Sequence, residues 1–436
     1  MASCNVMPVR FICLTALIAG FCLAAGGRAA AQPASREGGA LAMIIENPDR
    51  AASNMHSYEF DRLEDTRAPK GFKPFYVSHY GRHGSRYETS ASFAKAALDG
   101  FRKADSLSLL TPVGAALYRD VQAVSDEHQG MDGALTPRGG REHQMLAERM
   151  VGRYPSVFRR RDGGEVFACA STSQRCIVSM ANFIGALKGM APGLDFICTS
   201  GERYMSYINP PIDYSRSKLD FLTQPGSGSD WTGFLSRIFT DPDAAMDLAG
   251  DADAFVNAVF SAGCVCQDLD FLGIDIFREY FTPEELTGLW MKRNDMVYGL
   301  WGNSVENGDV VRESPVPLLE DIVAKADAAI AAGSRRCADL RFGHDTTILP
   351  LAALLGIDDP LGRRFPISEA HDYWFSNEQV QMATNIQMVF YRNRKGEVLA
   401  KVLFNEREVN IPAMKPLEGP YYPWDTLRAW FLSLCK

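Results

Sequence analysis

The chain has 436 residues, of which 46% are hydrophobic and 11% are aromatic. This composition supports one large packed domain or two ordinary ones, and it excludes an intrinsically disordered chain. The formal net charge of −8 disfavours nucleic acid as a partner, because a nucleic-acid-binding surface needs an excess of Lys and Arg.

The N-terminus has the pattern of a cleavable secretory signal, which we assign to residues 1–31. Arg10 precedes an apolar stretch from Phe11 to Ala25, and small residues ending at Ala31 follow it. A retained membrane anchor is the alternative, but the apolar stretch is shorter than the roughly 20 residues that span a bilayer. No later segment is predicted to be apolar enough to cross a bilayer. The sequence therefore predicts a periplasmic or secreted protein without stable membrane insertion.

Cleavage changes both the charge and the cysteine count. Removing residues 1–31 deletes two arginines and no acid, so the formal charge goes from −8 to −10. Seven cysteines remain, an odd number, so at least one thiol is left over or pairs between chains. Cys264 and Cys266 form an isolated pair without matching histidines, and we predict no zinc site there. Disulfide connectivity and oligomeric state stay open.

The predicted elements begin after an N-terminal extension, residues 32–70, which we expect to wrap on the surface. Phe75 to His79 reads as a strand, and Ser90 to Lys103 has the spacing of an amphipathic helix. A second helix is predicted to start at Pro137, where the missing N–H of proline is tolerated and Thr136 serves as the cap.

The middle of the chain contains one more strand and then a long helical stretch. Val166 to Ala170 reads as a buried strand, and the apolar helix from Arg175 to Leu187 follows it. Between residues 201 and 314 several helical patterns occur without a clear strand. Pro225 to Ser229 is predicted to be a loop, and Thr282 to Glu285 is a capping box that opens a helix.

The C-terminal part returns to alternating elements. A helix is predicted from Leu318 to Ile330, a strand from Ala338 to Phe342, and a helix from around Thr347. Ile386 to Tyr391 and Val398 to Phe404 are predicted to pair as a β-hairpin.

This order of elements predicts an α/β fold: a central mixed or parallel sheet flanked by helices, with an inserted helical cap subdomain. We assign residues 71–105, 134–200 and 315–436 to the α/β core. Residues 106–133 and 201–314 form the predicted cap.

The most informative motif is Arg82–Arg86, R-H-G-S-R, at the end of the first predicted strand. Two arginines this close can bind a tetrahedral oxyanion through several donors, and the imidazole between them can attack it. The alternative is a basic surface turn. The motif favours phosphoryl transfer.

Two other segments repeat the same design, in which a strand ends at His or Arg and a helix begins soon afterwards. They contain Arg175 and His344-Asp345. Ligands of α/β sheets bind at the carboxyl ends of the strands, and helix N-termini favour anions. If the three strands are neighbours, three arginines, two histidines and one carboxylate meet in one pocket.

These motifs resemble those of the histidine phosphatase superfamily, specifically the histidine acid phosphatase branch with its acid phosphatases, phytases and multiple inositol polyphosphate phosphatases. The resemblance extends from about residue 70 to about residue 430. The segments that carry it are Arg82–Arg86, Leu135–Gly139, Ser173–Arg175, His344-Asp345, Asn385–Gln387 and Phe404–Glu406.

The resemblance implies a role for each matching residue. His83 would become the phosphohistidine and Asp345 would protonate the leaving alcohol. The phosphoryl oxygens would be held by Arg82, Arg86, Arg175 and His344. Guanidiniums can stabilise the charge that divalent metals stabilise in other phosphoryl transferases, so we expect no metal and no other cofactor. Because Asp345 must carry a proton when substrate binds, we expect an optimum below neutral pH.

Other candidates carry weaker predictions. His371-Asp372 is a second H-D pair without a strand before it, which favours a surface turn or a packing role. Arg138 and Arg141 either extend the pocket toward further phosphates or are solvated helix arginines. Three further histidines are predicted to lie in a strand, a loop and on a helix surface, in the order His79, His128, His143.

The expected substrate is a small-molecule phosphate ester, and its identity stays open. The C-terminal segments resemble inositol polyphosphate phosphatases, which favours phytate or another inositol phosphate. Those proteins usually have H-A-E where this chain has His344-Asp345, and the first motif continues with Glu88 where many members have proline. These departures favour a broad acid phosphatase for sugar phosphates or nucleotides. A non-catalytic phosphate-binding module is a minor alternative, although His83 and Asp345 are both present.

Overall fold

The computed structural model describes residues 39–160, 163–222, 230–358 and 360–436. The predicted signal peptide and the predicted loop from Pro225 to Ser229 lie outside the described residues. The described residues from 39 onward all fall in one compact unit.

A mixed eight-stranded sheet organises the described chain, with the order β3-β2-β4-β1-β5-β6-β7 and with β8 paired to β6. Neighbours among β1 to β4 are parallel, whereas β5, β6, β7 and β8 join in antiparallel pairs. The strands are β1 (Lys73–Arg82), β2 (Gly164–Ala170), β3 (Leu194–Ser200), β4 (Arg336–Gly343), β5 (Asn385–Arg392), β6 (Val398–Phe404), β7 (Arg407–Val409) and β8 (Tyr422–Pro423). The predicted mixed sheet with flanking helices is confirmed.

The helices of the described residues are α1 (Gly39–Glu46), α2 (Lys95–Ser106), α3 (Pro112–Glu127), α4 (Pro137–Arg153), α5 (Pro155–Phe158), α6 (Gln174–Met190), α7 (Glu202–Ile208), α8 (Thr232–Ile238), α9 (Pro242–Ala249), α10 (Ala252–Cys266), α11 (Ile276–Tyr280), α12 (Pro283–Trp301), α13 (Gly308–Glu313), α14 (Val316–Ile330), α15 (Asp345–Leu355), α16 (Ala370–Tyr373), α17 (Ser376–Gln379) and α18 (Trp424–Leu434). Short 3₁₀ segments occur at Pro48–Met55, Tyr214–Arg216, Asp220–Leu222, Gln267–Leu272 and Ile367–Glu369.

The two faces of the sheet bury separate hydrophobic cores, as the alternation of side chains along a strand requires. On β1, Tyr76 and Tyr80 pack with α14, α15 and α18 on one face. Val77 points to the other face and packs with α4 and α6. Because both faces are covered, the central strands are apolar on both sides.

A third hydrophobic core is built by α2, α3 and α8 to α12. The stretch Ala252–Leu272 within it is apolar and long enough by composition to span a membrane, and 72% of its apolar 18-residue window is buried inside the protein. The prediction that no later segment passes this test was wrong. Burial among the neighbouring helices accounts for the apolar composition of this stretch.

Several local predictions match the structure. The capping box at Thr282 is present, and Thr136 accepts a hydrogen bond from the Gly139 amide. The predicted hairpin is confirmed by the antiparallel pairing of β5 with β6. The helix predicted from Ser90 begins at Lys95, because residues 91–94 form a turn. The sequence reading did not identify the edge strand β3, whose side chains are mostly exposed or half-buried.

Two predictions about exposure were wrong. The N-terminal extension was expected on the surface, but residues 51–58 are buried. His143 was expected on a helix surface, and it is fully buried on α4 against Phe183 and Phe342. Burial lowers the pKa of both His143 and His79 to about 3, so both imidazoles are neutral in the core.

Candidate active site

The carboxyl ends of three parallel strands meet at one edge of the sheet. In the strand register Arg82 lies opposite Gly343, and Ala170 lies opposite Phe342. Hydrogen bonds continue the pairing one residue further, because the His83 amide donates to the Gly343 carbonyl at 3.0 Å. The strand ends therefore bring the three sequence motifs together, as the sequence analysis predicts.

The loop after β1 is anchored on the N-terminus of α4. Glu142 accepts hydrogen bonds from the amide and the hydroxyl of Ser85, both at 2.7 Å. Gly84 and Gly139 allow this contact, since a Cβ on Gly84 would lie 2.6 Å from the Gly139 carbonyl oxygen. The loop is held in one position by backbone contacts that any larger side chain would prevent.

His83 presents one ring nitrogen to the cleft. Its Nδ1 lies 2.9 Å from the Gly84 carbonyl oxygen, which can only accept, so Nδ1 carries the proton. Nε2 therefore has a free lone pair on the cleft side. Burial lowers the pKa of His83 well below its usual value, and the nearby charges of Arg82 and Arg175 lower it further. The ring is neutral and can act as a nucleophile.

Arg82 lies beneath the cleft and binds Asp345. Its guanidinium is fully buried, with Nη2 at 2.8 Å from the Asp345 carboxylate and Nη1 donating to the carbonyls of Asn54 and Val380. Burial lowers the pKa of Arg82 to about 10, which still leaves it charged at neutral pH.

Asp345 is the first residue of α15 and is nearly buried. Asn54 donates to its Oδ2 at 3.2 Å, and the Thr346 amide donates to its Oδ1 at 3.0 Å. Burial raises the pKa of Asp345, but the charges of Arg82 and Arg86 and the hydrogen bond from Asn54 help to outweigh it, and the pKa lies below its usual value. In the free protein Asp345 is a carboxylate.

Arg175 and His344 lie on the wall of the cleft together with Arg86. Arg175 occupies the first turn of α6, and the His344 ring centroid is 5.6 Å from that of His83. Nε2 of His344 lies 2.9 Å from the Ser171 hydroxyl, which leaves Nδ1 for the cleft. Burial and the charge of Arg175 lower the pKa of His344 to about 4, so this ring is also neutral near pH 7.

The cleft around these residues has a volume of about 510 Å³ and includes side chains that the sequence analysis missed. Asn54 comes from the N-terminal extension, beside Ser53, whose φ of 60° lies in the left-handed region. Arg293, Met296 and Trp301 come from α12. The Nε of Arg293 donates to Asn54 at 3.1 Å, so the extension and α12 meet at the cleft.

The structure does not bring the remaining candidates into the cleft. Arg138 donates to the Gln267 carbonyl at 2.7 Å, and Arg141 is exposed and paired with Asp270. Both therefore tie α4 to the 3₁₀ segment Gln267–Leu272. His371 is half-buried and paired with Asp295 at 2.9 Å. This pairing agrees with a packing role for the second H-D pair.

No family model matches the chain. Two curated relatives are multiple inositol polyphosphate phosphatases. The protein from Gallus gallus is 23% identical over 363 residues, which cover 78% of this chain and 78% of the relative. The protein from Homo sapiens is 25% identical over 374 residues, covering 75% of this chain and 73% of the relative.

Solved structures share the fold. The multiple inositol polyphosphate phosphatase of Bifidobacterium longum in complex with phosphate has a TM-score of 0.72 at 20% identity, over 89% of this chain and 98% of that chain. Its complex with inositol hexasulfate has a TM-score of 0.68 at 18% identity, over 88% and 97%. A phytase from D. castellii has a TM-score of 0.65 at 16% identity, over 88% and 85%.

The fold and the two histidines, three arginines and one aspartate at its strand ends resemble the fold and motifs of histidine acid phosphatases. The curated relatives and the neighbouring structures agree with the motifs in the sequence. The chain is similar over about three quarters of its length to multiple inositol polyphosphate phosphatases, and it shares its fold with solved structures of such a phosphatase and of a phytase.

Proposed function

We propose that the protein hydrolyses phosphate monoesters through a phosphohistidine on His83, and that inositol phosphates are its substrates. The observation that carries this proposal is the neutral, proton-free Nε2 of His83 in a cleft with Arg86, Arg175 and His344. Three guanidiniums in and under the cleft can neutralise a phosphoryl group while the imidazole attacks it.

In the first step, Nε2 of His83 forms a bond to phosphorus while the bond between phosphorus and the leaving oxygen breaks. Asp345 transfers its proton to that oxygen, because an alkoxide is a poor leaving group. Arg86, Arg175 and the Nδ1 of His344 bind the phosphoryl oxygens. Arg82 adds positive charge from beneath, and its buried Nε has no hydrogen-bond partner among the described residues.

In the second step, the Asp345 carboxylate accepts a proton from water, and the water oxygen attacks phosphorus. The bond between phosphorus and Nε2 breaks, which releases phosphate and restores His83. Asp345 enters the first step protonated only if bound phosphate and an acidic medium offset the cations that lower its pKa. This requirement supports an acidic optimum.

Inositol phosphates are the substrate class that the curated relatives favour, since both relatives are named as multiple inositol polyphosphate phosphatases. The second candidate is a broad acid phosphatase for sugar phosphates or nucleotides, which the H-D pair in place of H-A-E favours. The predicted signal peptide assigns the reaction to the periplasm or the exterior, and N-terminal sequencing of the mature protein checks that assignment.

The test is phosphate release in the presence of EDTA at acidic pH, with phytate, a myo-inositol monophosphate, p-nitrophenyl phosphate and glucose 1-phosphate as substrates. We expect hydrolysis by the wild type, with phytate or another inositol phosphate preferred, and loss of hydrolysis in His83→Ala. Equal rates on all four esters would favour the broad acid phosphatase. Turnover that survives His83→Ala would refute the nucleophile, and no turnover by the wild type would favour a phosphate-binding module.

A further inference from the structure

We propose that Glu88 makes the cleft selective for partly phosphorylated inositols, in which a free hydroxyl lies next to the phosphate that is removed, over the hexakisphosphate. Glu88 lies on the cleft wall, two residues after Arg86. This inference rests on the proposed function and names the substrate within its class.

Glu88 is held on the cleft wall next to Arg86, which binds the reacting phosphate in the proposed mechanism. Its carbonyl oxygen accepts hydrogen bonds from the Gly133 amide at 2.6 Å and from Nε2 of His128 at 2.9 Å. Its carboxylate accepts from the Thr89 amide at 3.1 Å and lies 3.4 Å from Nη1 of Arg86. The side chain is only 15% exposed, so it cannot swing into solvent without breaking these contacts.

The carboxylate of Glu88 is ionised. Burial raises its pKa, but the charges of Arg86 and Arg293 outweigh this effect and hold the pKa below its usual value. An ionised carboxylate accepts a strong hydrogen bond from a hydroxyl, and it repels a phosphate at the same position. Glu88 therefore distinguishes a hydroxyl from a phosphate on the neighbouring carbon.

The charges of the whole cleft also favour a substrate with few phosphates. Among the described residues that line it, the cations are three arginines, the anions are Glu88 and Asp345, and no lysine is present. A phosphate monoester carries roughly −1.5 to −2 near neutral pH, so one phosphate already matches Arg86 and Arg175. In the hexakisphosphate, five further phosphates would have Arg293 as their remaining cation in the cleft, and Glu88 would repel them.

The part of the wall that α12 supplies also suits a substrate with few phosphates. Met296 and Trp301 add apolar surface, against which the C–H groups of a cyclitol ring can pack. Arg293 is oriented by its hydrogen bond to Asn54 and can bind one further phosphate or hydroxyl. The cleft thus offers one strong phosphate site beside a subsite of mixed charge.

The test compares Glu88→Gln with the wild type. The readouts are kcat/KM for inositol hexakisphosphate and for a myo-inositol monophosphate, and the proposal concerns their ratio. Gln keeps the size and an oxygen acceptor for Thr89 while removing the charge. We expect kcat/KM for the hexakisphosphate to rise about tenfold, mainly through KM, with less than a threefold change for the monophosphate.

Two further variants serve as matched controls. Glu148→Gln removes the same charge from an exposed position on α4 outside the cleft, and it should leave the ratio unchanged. Glu88→Asp keeps the charge and should keep the preference for the monophosphate. If Glu88→Gln lowers both rates equally, Glu88 only orients Arg86 and the proposal is wrong. An unchanged ratio also overturns it.

Binding measurements separate this proposal from the proposed function. In a His83→Ala background, calorimetric titration with the two inositol phosphates needs no turnover. Removing the Glu88 charge should tighten hexakisphosphate binding about tenfold relative to the monophosphate. If the wild type hydrolyses no ester but the relative binding of the two inositol phosphates changes in this way, the catalytic proposal is wrong and the selectivity proposed for Glu88 is supported. If hydrolysis depends on His83 and the shift is absent, only the subsite is refuted.

Discussion

Glu142 is a buried carboxylate that anchors the loop after β1, which contains the proposed nucleophile His83. Its side chain is 3% exposed. Its two oxygens accept hydrogen bonds from the Ser85 amide and hydroxyl, both at 2.7 Å, and from the Tyr58 amide at 3.1 Å. The contact joins α4, the loop after β1 and the N-terminal extension, so replacing Glu142 should affect both stability and activity.

The magnitude follows from the donors that lose their acceptor. Glu142→Ala leaves two buried amides, those of Ser85 and Tyr58, without a partner, and each such amide costs about 1–3 kcal/mol. The expected loss is therefore about 2–6 kcal/mol, reduced by the desolvation penalty that the buried carboxylate no longer carries. Glu142→Gln keeps one oxygen acceptor, so its loss should be about half as large.

The assay is urea unfolding followed by circular dichroism, with phosphatase activity measured on the folded variants. Glu148→Ala on the exposed side of α4 is the matched control and should change stability by less than about 0.5 kcal/mol. Activity should fall with stability, because the Gly84 carbonyl that fixes the His83 tautomer belongs to the same loop. If Glu142→Ala is as stable as Glu148→Ala, the anchoring argument is wrong.

Three further predictions concern acid–base chemistry and metals. Asp345→Asn should lower the turnover of alkyl phosphates about 10²–10⁴-fold. The turnover of p-nitrophenyl phosphate should fall much less, since p-nitrophenolate leaves without a proton. Equal losses for the two substrates, or a wild-type rate that keeps rising to about pH 8, would contradict Asp345 as the acid. Burial, with the charge of Glu142, raises the pKa of Asp268 to about 8, so between about pH 4 and pH 8 the folded state holds a proton that the unfolded state has released. The free energy of unfolding should therefore fall as pH rises through this window, and Asp268→Asn should flatten that slope; an unchanged slope would assign it to other groups. Activity should survive dialysis against EDTA, because arginines supply the positive charge; loss that added divalent metal restores would refute this expectation.

The core of the site could be predicted from the sequence because its residues are adjacent in the chain or follow strands. Each of the three motifs follows a strand that can be recognised in the sequence by its apolar residues. The motifs are Arg82–Arg86, Arg175 and His344-Asp345. Parallel strands place their carboxyl ends at one edge, so the three motifs had to converge once the strands were neighbours.

The rest of the cleft depends on contacts that no local pattern encodes. Asn54 comes from a polar segment that reads as surface, yet residues 51–58 are buried against elements far along the chain. Arg293 reads as an ordinary helix arginine until α12 is placed beside the extension. The sequence left Arg141 open between the pocket and a solvated helix position, and its exposed pairing with Asp270 agrees with the second alternative.

The sequence also did not predict which polar side chains are buried, nor the exposed edge strand. Glu142 and Asp268 are acidic residues that composition places at the surface, but both are buried, Glu142 against Ser85 and Asp268 against Ser57. The edge strand β3 lacks a buried face of its own. Only tertiary packing determines these positions.

The most direct test of the proposed mechanism is to trap the phosphoenzyme by rapid quench during turnover of a phosphate monoester. Phosphohistidine is labile in acid and stable in alkali, so the quench and digestion are done under alkaline conditions. The mechanism predicts that one phosphoryl group is found on the peptide containing His83 in the wild type, and on no peptide in His83→Ala. A phosphoryl group on another residue, or turnover by His83→Ala, would contradict it.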